Sequence, residues 1–241
     1  MEKAIYSATS GMVAQEKRLE IIANNMANIN TTSFKKEVPI FQEYLSKAIK
    51  IPSKPTDTSF VDICQTYRDF SQGRLISTHR NLDFAIEGKG FFVVEKTPTE
   101  YLYTRNGHFF IDKNGYLVTN EGYKVLSLNG PIQIKGKNIT LSSDGILTTE
   151  LGERFNLRIV DFANLQALLP KGNSYYEYTG PGQDIKNINN PSLYQGFLEG
   201  SNVHLIKEMV DLIQTNRIFQ SYQKLIKTRD DDERMLMEKL K

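Results

Sequence analysis

The sequence predicts an α+β protein in which long helices at the two ends form a coiled-coil layer and the middle is an antiparallel β domain. Near both ends an apolar residue recurs at every seventh position: Ile5, Met12, Leu19 and Met26, then Leu205, Leu212, Phe219 and Ile226. This spacing is typical of a helix that buries a seam against another helix. Between the ends, short apolar and aromatic runs alternate with glycine-containing turns, as expected for antiparallel strands.

Residues 2–27 are predicted to form the first helix, within an N-terminal axial segment of residues 1–33. Ala8 and Ile22 widen its apolar line, whereas Gly11 weakens the helix by about 1 kcal/mol relative to alanine. The polar run 28–33 ends it, because Asn, Thr and Ser side chains compete for the backbone. Three asparagines near this end are predicted either to cap the helix or to fix its register against a partner helix: Asn24, Asn25 and Asn28.

Residues 34–83 are predicted to be an extended arm. The segment 34–45 alternates weakly between apolar and polar residues and is compatible with a strand or with a short helix. The segment 51–59 contains two prolines among small polar residues. That composition predicts an exposed loop or linker.

Residues 84–185 are predicted to form the β domain. The turn signals are Glu87-Gly88-Lys89-Gly90, Asn106-Gly107, Asn114-Gly115, Glu121-Gly122, Asn129-Gly130-Pro131 and Asp144-Gly145. Asn-Gly and Asp-Gly supply the positive φ angles that tight hairpins need. Their close spacing indicates a compact antiparallel domain.

Residues 186–241 are predicted to comprise a linker and the C-terminal axial helix. Ser201 or Asn202 is a suitable N-cap. No proline or glycine follows Gly200, so the sequence contains no signal that ends the helix early.

Composition argues against several partners and sites. The 241 residues include 30 basic and 28 acidic ones, for a net charge of +2, which gives no reason to expect nucleic acid or an anionic membrane. No apolar run is long enough to span a bilayer. The first residues lack the apolar stretch of a cleavable signal peptide, so we expect a cytoplasmic protein or one exported without such a signal.

Catalytic, cofactor and metal sites are not expected. His79, His108 and His204 lack metal-ligand spacing, and the acidic run at 230–233 fits a solvated helix face better than a calcium loop. Cys64 is the single cysteine and has no activating neighbours in sequence. An enzyme is therefore the weakest hypothesis.

The terminal helices allow two interpretations from periodicity alone. They form either an intramolecular hairpin that packs on the β domain of the same chain, or an interface with other subunits. The proposed assembly residues are the seven-residue lines together with Asn24, Asn25 and Asn28.

Several blocks of the chain resemble bacterial flagellar rod and hook proteins. The first covers Ser10–Gln15 and Ile22–Lys35, and the last covers Leu198–Val203 and Glu208–Val210. Between them lie Phe70–Leu75, Leu82–Val93, Tyr103–Gly107 and Gly115–Thr119. The blocks follow the order that is usual in the family and span most of the chain.

The resemblance implies a non-enzymatic axial subunit of the flagellar basal-body rod, the drive shaft between motor and hook. Its length and its opening, Met1–Tyr6, are similar to the proximal-rod type, with a distal-rod or hook-type subunit as the alternative. The implied partners are copies of itself, other rod and hook proteins and the flagellar type III export apparatus, and the implied location is the periplasmic rod. The rival from another class is a secreted β-rich binding module with helical stalk ends.

Two positions depart from the family's usual pattern. Ser33 stands where the family usually has glycine, and His79 stands where it usually has a small residue. A glycine at position 33 would permit a positive φ, which serine adopts only at a cost.

Overall fold

The computed structural model describes residues 2–46, 58–136 and 139–239, with side chains left undescribed at 2–6, 41–65 and four positions near the C-terminus. Backbone contacts divide the chain into two units. The helical unit comprises Met1–Asn28, Glu37–Asp69 and Val203–Lys241. The β body comprises Ile29–Lys36 and Phe70–Asn202.

The described chain has a helix at each end and a strand-rich centre, which confirms the predicted α+β class. The helices are α1 (Glu2–Ala27) and α2 (Leu205–Lys239). The strands are β1 (Glu37–Ser46), β2 (Thr58–Arg68), β3 (Leu75–Ser77), β4 (Phe84–Glu87), β5 (Phe91–Thr97), β6 (Glu100–Thr104), β7 (Phe110–Ile111), β8 (Leu117–Val118), β9 (Lys124–Ser127), β10 (Gly130–Pro131), β11 (Ile139–Leu141), β12 (Ile146–Thr149), β13 (Arg154–Asn156), β14 (Ile159–Phe162), β15 (Leu168–Pro170), β16 (Tyr175–Tyr178), β17 (Ile185–Asn187), β18 (Ser192–Gln195) and β19 (Phe197–Glu199). Short 3₁₀ helices lie at Leu165–Ala167 and Gly182–Asp184.

In the helical unit, β1 and β2 form a long antiparallel pair with a register shift between Ile40 and Phe41. Of the two structures compatible with residues 34–45, the chain adopts the strand. The loop predicted over residues 51–59 lies mostly outside the described residues, since β2 begins at Thr58.

Helix α2 begins later than the sequence predicted. Its first residue is Leu205, so neither Ser201 nor Asn202 is its N-cap. The Asn202 side chain is instead used inside the β body, where it accepts a hydrogen bond from the Lys36 amide at 2.7 Å and donates to Ser71. Because these two contacts hold the Asn202 side chain, it does not cap the helix, and the helix starts three residues later.

The largest sheet of the β body has the order β15-β16-β6-β5-β9-β8-β7, with β10 on β9 and β14 bridging β5 to β17. Further antiparallel pairings are β11-β12-β13, β18-β4 and β19-β3. Strands therefore continue to Glu199, beyond the predicted end of the β domain at residue 185.

The first four residues of strand β5 are buried on both faces. Phe92 and Val94 belong to one apolar cluster, while Phe91 and Val93 belong to another. Successive side chains of a strand point to opposite faces, so an uninterrupted apolar run fits a strand covered on both sides. The run Phe91–Val94 thus supplies both cores of the β body.

The predicted turn chemistry is seen at Asn114-Gly115. Gly115 has φ +83°, and its amide donates to the Asp112 carbonyl at 3.1 Å. Only glycine adopts this left-handed conformation without a steric cost. The turn returns the chain so that the Asp112 amide pairs with the Tyr116 carbonyl.

Both positions that depart from the family pattern adopt the left-handed conformation. Ser33 has φ +58° and His79 has φ +57°. Ser33 is also fully buried, and its amide donates to the Glu199 carbonyl at 2.8 Å. At both positions the backbone keeps the conformation that a glycine would favour, and the Cβ of the serine or histidine causes steric strain there.

We expect Ser33→Gly to stabilise the β body. Removing the Cβ relieves the left-handed strain, which is about 1 kcal/mol, and the 3.4 Å contact that is lost from Ser33 Oγ to Glu199 is weak. The measurement is urea unfolding of the whole chain. Ser33→Ala is the matched control, because it keeps the Cβ and should not stabilise. A lower stability for the glycine variant would show that the hydroxyl outweighs the strain.

Candidate assembly interface

Helices α1 and α2 pack against each other within the helical unit. The intramolecular pairing left open by periodicity is therefore present in this structure. Among residues 7–27 of α1, whose side chains are described, the buried ones are mostly small: Ala8, Gly11, Ala14, Ile22 and Asn25. Among the described side chains of α2, Glu208 and Thr215 are buried.

Gly11 explains how closely the helices approach. A Cβ built on Gly11 would lie 2.8 Å from Tyr222 Cζ and 2.9 Å from its hydroxyl oxygen. Real Cβ atoms do not approach so closely, so the Tyr222 ring occupies the space that a side chain would fill. Gly11, which the sequence suggested only as a weak point of the helix, is a packing contact between the two helices.

Helix α2 carries two lines of partly or fully buried residues at seven-residue spacing. One is the predicted line through Leu212, Phe219 and Ile226, all half-buried. The other contains Glu208, Thr215, Tyr222 and Arg229. The two lines alternate at spacings of three and four residues, which is heptad spacing. A search for apolar periodicity misses the second line because its residues are polar or aromatic.

The predicted assembly residues differ in exposure. In α1, Met12, Leu19 and Met26 are half-buried, while the side chain of Ile5 lies outside the described set. In α2, Leu205 is exposed. Beside it on the first turns of α2 lie further exposed apolar side chains: Ile206, Met209, Val210 and Ile213. Ile206 is the most open of these, at 80 % exposure.

The three asparagines have different roles. Asn24 is exposed and Asn28 half-buried, and the Asn28 amide donates to the Asn24 carbonyl at 2.9 Å, which caps the helix end. Asn25 is buried. Its side-chain Nδ2 donates to the Glu37 backbone carbonyl at 2.9 Å, and its Oδ1 accepts from the Glu37 backbone amide at 3.0 Å. Asn25 thereby fixes the start of β1 against α1, and its Nδ2 also lies 3.5 Å from Glu208 Oε2.

The β body contains a buried ionic junction formed by Lys35, Arg105 and Glu199. Lys35 Nζ lies 2.7 Å from Glu199 Oε1, and Arg105 Nε lies 2.6 Å from Glu199 Oε2. The Glu199 carboxylate also accepts the Gly73 amide at 2.8 Å. Sequence reasoning did not single out these residues, since each charge stands in a different block and nothing local marks it as buried.

The β body also has a polar cavity of about 370 Å³. Its lining includes His108, Glu121 and Tyr175. Burial, reinforced by the hydrogen bond to Glu121, raises the pKa of the Tyr175 hydroxyl. Within residues 2–46, 58–136 and 139–239, no group of His, Cys, Asp and Glu is placed to hold a metal ion.

We expect Gly11→Ala to show opposite effects with and without Tyr222. In a Tyr222→Ala background the alanine should stabilise α1 by about 1 kcal/mol, because glycine is a poor helix former. With Tyr222 present, the contact at 2.8 Å should cancel or reverse this gain. The measurement is a double-mutant cycle in which urea unfolding is monitored by the circular dichroism signal of the helices. The expected coupling free energy is about 1–2 kcal/mol. Zero coupling would contradict the packing of α1 on α2 at this point.

Comparison with known protein families gives three matches along the chain. Residues 5–35 match the family described as "Flagella basal body rod protein". Residues 85–149 match "Flagellar hook protein FlgE/F/G D1 domain", and residues 194–238 match "Flagellar basal body rod FlgEFG protein C-terminal". The matches cover α1, the centre of the β body and α2.

Curated relatives are similar over nearly their whole length. The flagellar basal-body rod protein FlgG of Borreliella burgdorferi is 35 % identical, with 96 % of each chain covered. FlgG of Bacillus subtilis is 33 % identical, also with 96 % of each chain covered. The basal-body rod protein FlgF of Caulobacter vibrioides is 30 % identical and covers 100 % of this chain and 98 % of its own.

The paired terminal helices, the β body and these matches define a flagellar rod or hook protein, a class of structural subunits. Within that class, the chain belongs to the flagellar basal-body rod protein family. It is a structural component of the flagellar basal body and assembles with other flagellar rod and hook components. In the described part of the chain, neither helix has a stretch long and apolar enough to cross a membrane.

Proposed function

We propose that this chain polymerises through its terminal helices into the periplasmic rod, the drive shaft between motor and hook, as a non-enzymatic subunit. The observation that supports this most is the composition of the helix pair. Among the described side chains of α1 and α2, most of the buried ones are small or polar, while the apolar line through Leu212, Phe219 and Ile226 remains half-buried. The pairing within one chain leaves apolar surface for other subunits.

Burial of the remaining apolar surface would favour association. Leu, Ile, Phe and Met side chains each contribute about 1.5–3 kcal/mol when fully transferred from water. The exposed cluster that runs from Leu205 to Ile213 adds to the half-buried line. Contiguous exposed apolar surface of this kind marks a protein interaction site.

Burial of this surface by neighbouring subunits would give the coiled-coil layer predicted from the sequence. A rod requires heterologous contacts that repeat without closing into a ring, and such contacts generate an open helical filament. The neighbours are copies of this chain and other rod and hook proteins, and the flagellar export apparatus delivers the chain. The line through Ile5, Met12, Leu19 and Met26 on α1, with Asn24 and Asn28 at its end, is proposed as the second part of the interface. Asn25, which is buried against Glu37 of the same chain, is proposed to position this end of α1.

We assign the subunit to the proximal-rod type, on the residues of the segment Met1–Tyr6. A distal-rod or hook-type subunit is the alternative. The two rod types differ in where the filament would stop without the subunit, so the position of the break in the rod distinguishes them.

Electron microscopy of basal bodies from a deletion strain tests this function. We expect the rod beyond the motor ring to be missing, and to return when the wild-type chain is expressed. A rod stub without its distal part would indicate the distal type. Complete rods and hooks in the deletion strain would overturn the proposal.

A further inference from the structure

The buried ionic junction holds together the segments through which the chain enters and leaves the β body. The backbone passes between the two units at residues 28–29, 36–37, 69–70 and 202–203. Lys35 stands one residue before the second of these passages, Ser71 one residue after the third, and Glu199 shortly before the fourth. Within the β body, Lys35 Nζ contacts both Glu199 Oε1 and, at 2.6 Å, the Ser71 carbonyl.

The backbone around the junction is tied in the same way. The Ser33 amide donates to the Glu199 carbonyl, the Lys36 amide donates to Asn202 Oδ1, and the Gly200 amide donates to the Arg74 carbonyl. A Cβ on Gly73 would lie only 2.1 Å from the Gly200 carbonyl oxygen. The segments that contain Ser33, Gly73 and Gly200 are therefore in close contact, and their relative positions are fixed.

Arg105 and Glu199 are satisfied within the β body without Lys35. Arg105 donates to the carbonyls of Ile86, Gly88 and Gly90 as well as to Glu199 Oε2. The two form a neutral buried pair. Lys35 adds a second, fully buried cation from the segment Ile29–Lys36. The Arg105–Glu199 pair can therefore persist without Lys35, whereas Lys35 supplies the buried charge that links segment Ile29–Lys36 to Glu199.

We propose that Lys35 and Glu199 are positioning residues for rod assembly: their buried ion pair fixes segment Ile29–Lys36 against the segment that precedes α2. This inference rests on the assembly function proposed above. A buried ion pair need not add net stability, but in some proteins it fixes one arrangement, because a displaced charge in the interior finds no substitute for its partner. Within the β body, the pair fixes the segment that follows α1 against the segment that precedes α2, and we expect assembly to require this arrangement in every subunit.

The test replaces Lys35 with methionine, which keeps the length of the side chain and removes the charge. We expect hydrogen exchange at the Ser33 and Lys36 amides to accelerate by about 100-fold. The Phe84 and Ile132 amides, bonded within the β body, should keep their protection. In a deletion strain the variant should fail to restore the rod, and Lys35→Arg should rescue both exchange and rod formation.

Lys171→Met is the matched control. Lys171 Nζ lies 2.7 Å from Glu177 Oε2, the same distance as in the junction, but these side chains are 50 % and 36 % exposed. Exposed pairs contribute little, so this variant should exchange and assemble as the wild type does. Asn202→Ala provides a second test without a buried charge, since it removes the acceptor of the Lys36 amide, and it should also impair rod formation.

The outcomes separate this inference from the assembly proposal. Loss of Ser33 and Lys36 protection together with loss of the rod supports positioning. Normal rods from both Lys35→Met and Asn202→Ala would overturn it, and so would unchanged exchange in Lys35→Met. If Phe219→Asp also assembles normally, the proposed helix interface itself fails.

Discussion

A Phe219→Asp variant is expected to fold and yet fail to enter the rod. Phe219 is half-buried on the apolar line of α2, so the isolated chain already tolerates water at this side chain. In the filament the same side chain would be buried by a neighbour. A carboxylate there loses the apolar transfer energy of the ring, about 2–3 kcal/mol, and adds the larger cost of an unpaired buried charge.

The combined loss exceeds a factor of about 100 in affinity at each subunit contact, and a filament repeats the contact along its length. Leu212→Asp should behave in the same way, because Leu212 lies one heptad earlier on the same line. The measurement is rod formation and motility in a deletion strain that expresses the variant. Circular dichroism and thermal unfolding of the purified chain should show a β body like that of the wild type.

Gln220→Asp is the matched control for this prediction. Gln220 neighbours Phe219 on α2 but is exposed, so a charge at this position remains in water. We expect normal rods. Motility and rod length equal to those of the wild type in Phe219→Asp would show that the apolar line is not the subunit interface.

The largest expected loss of stability comes from Gly107→Ala in the β body. A Cβ at this position would lie 1.8 Å from the Phe84 carbonyl oxygen and 2.7 Å from its carbon. These are backbone atoms of the buried strand β4, and the Phe84 amide donates to the Gly107 carbonyl at 3.0 Å. The strand cannot move away without breaking this bond and disturbing the packing of Phe84 on Phe109.

We expect Gly107→Ala to lower the free energy of unfolding by about 3 kcal/mol, at the upper end of the usual cost of overpacking. For a body of this size the melting temperature should fall by roughly 10 °C. The measurement is thermal unfolding followed by near-ultraviolet circular dichroism. Gly182→Ala is the matched control, because nothing lies within 4 Å of its Cβ, and it should change stability by no more than about 0.5 kcal/mol. Equal stability of the two variants would contradict the close approach at Gly107.

The identity of the elements could be predicted from local pattern. Seven-residue apolar spacing located both helices, and the Asn114-Gly115 turn formed at the predicted position. The ends of the helices and strands were harder to predict. Helix α2 begins at Leu205 because Asn202 is held by Lys36 and Ser71, residues more than a hundred positions away. The N-cap preference of a residue is a local property, so it does not take account of hydrogen bonds that distant residues make to the same side chain.

By itself, the sequence determined the α+β class, the helical ends and membership of the rod and hook family, because periodicity, turn residues and family blocks are all local in the chain. Only the tertiary structure decided that Gly11 receives the Tyr222 ring, that Glu208 and Thr215 are buried, and that Lys35, Arg105 and Glu199 form one junction. Whether a charged or polar residue is buried depends on partners that the fold brings from distant positions. Lys35 and Glu199 lie 164 residues apart, and no local pattern marks a lysine or a glutamate as one half of a buried pair.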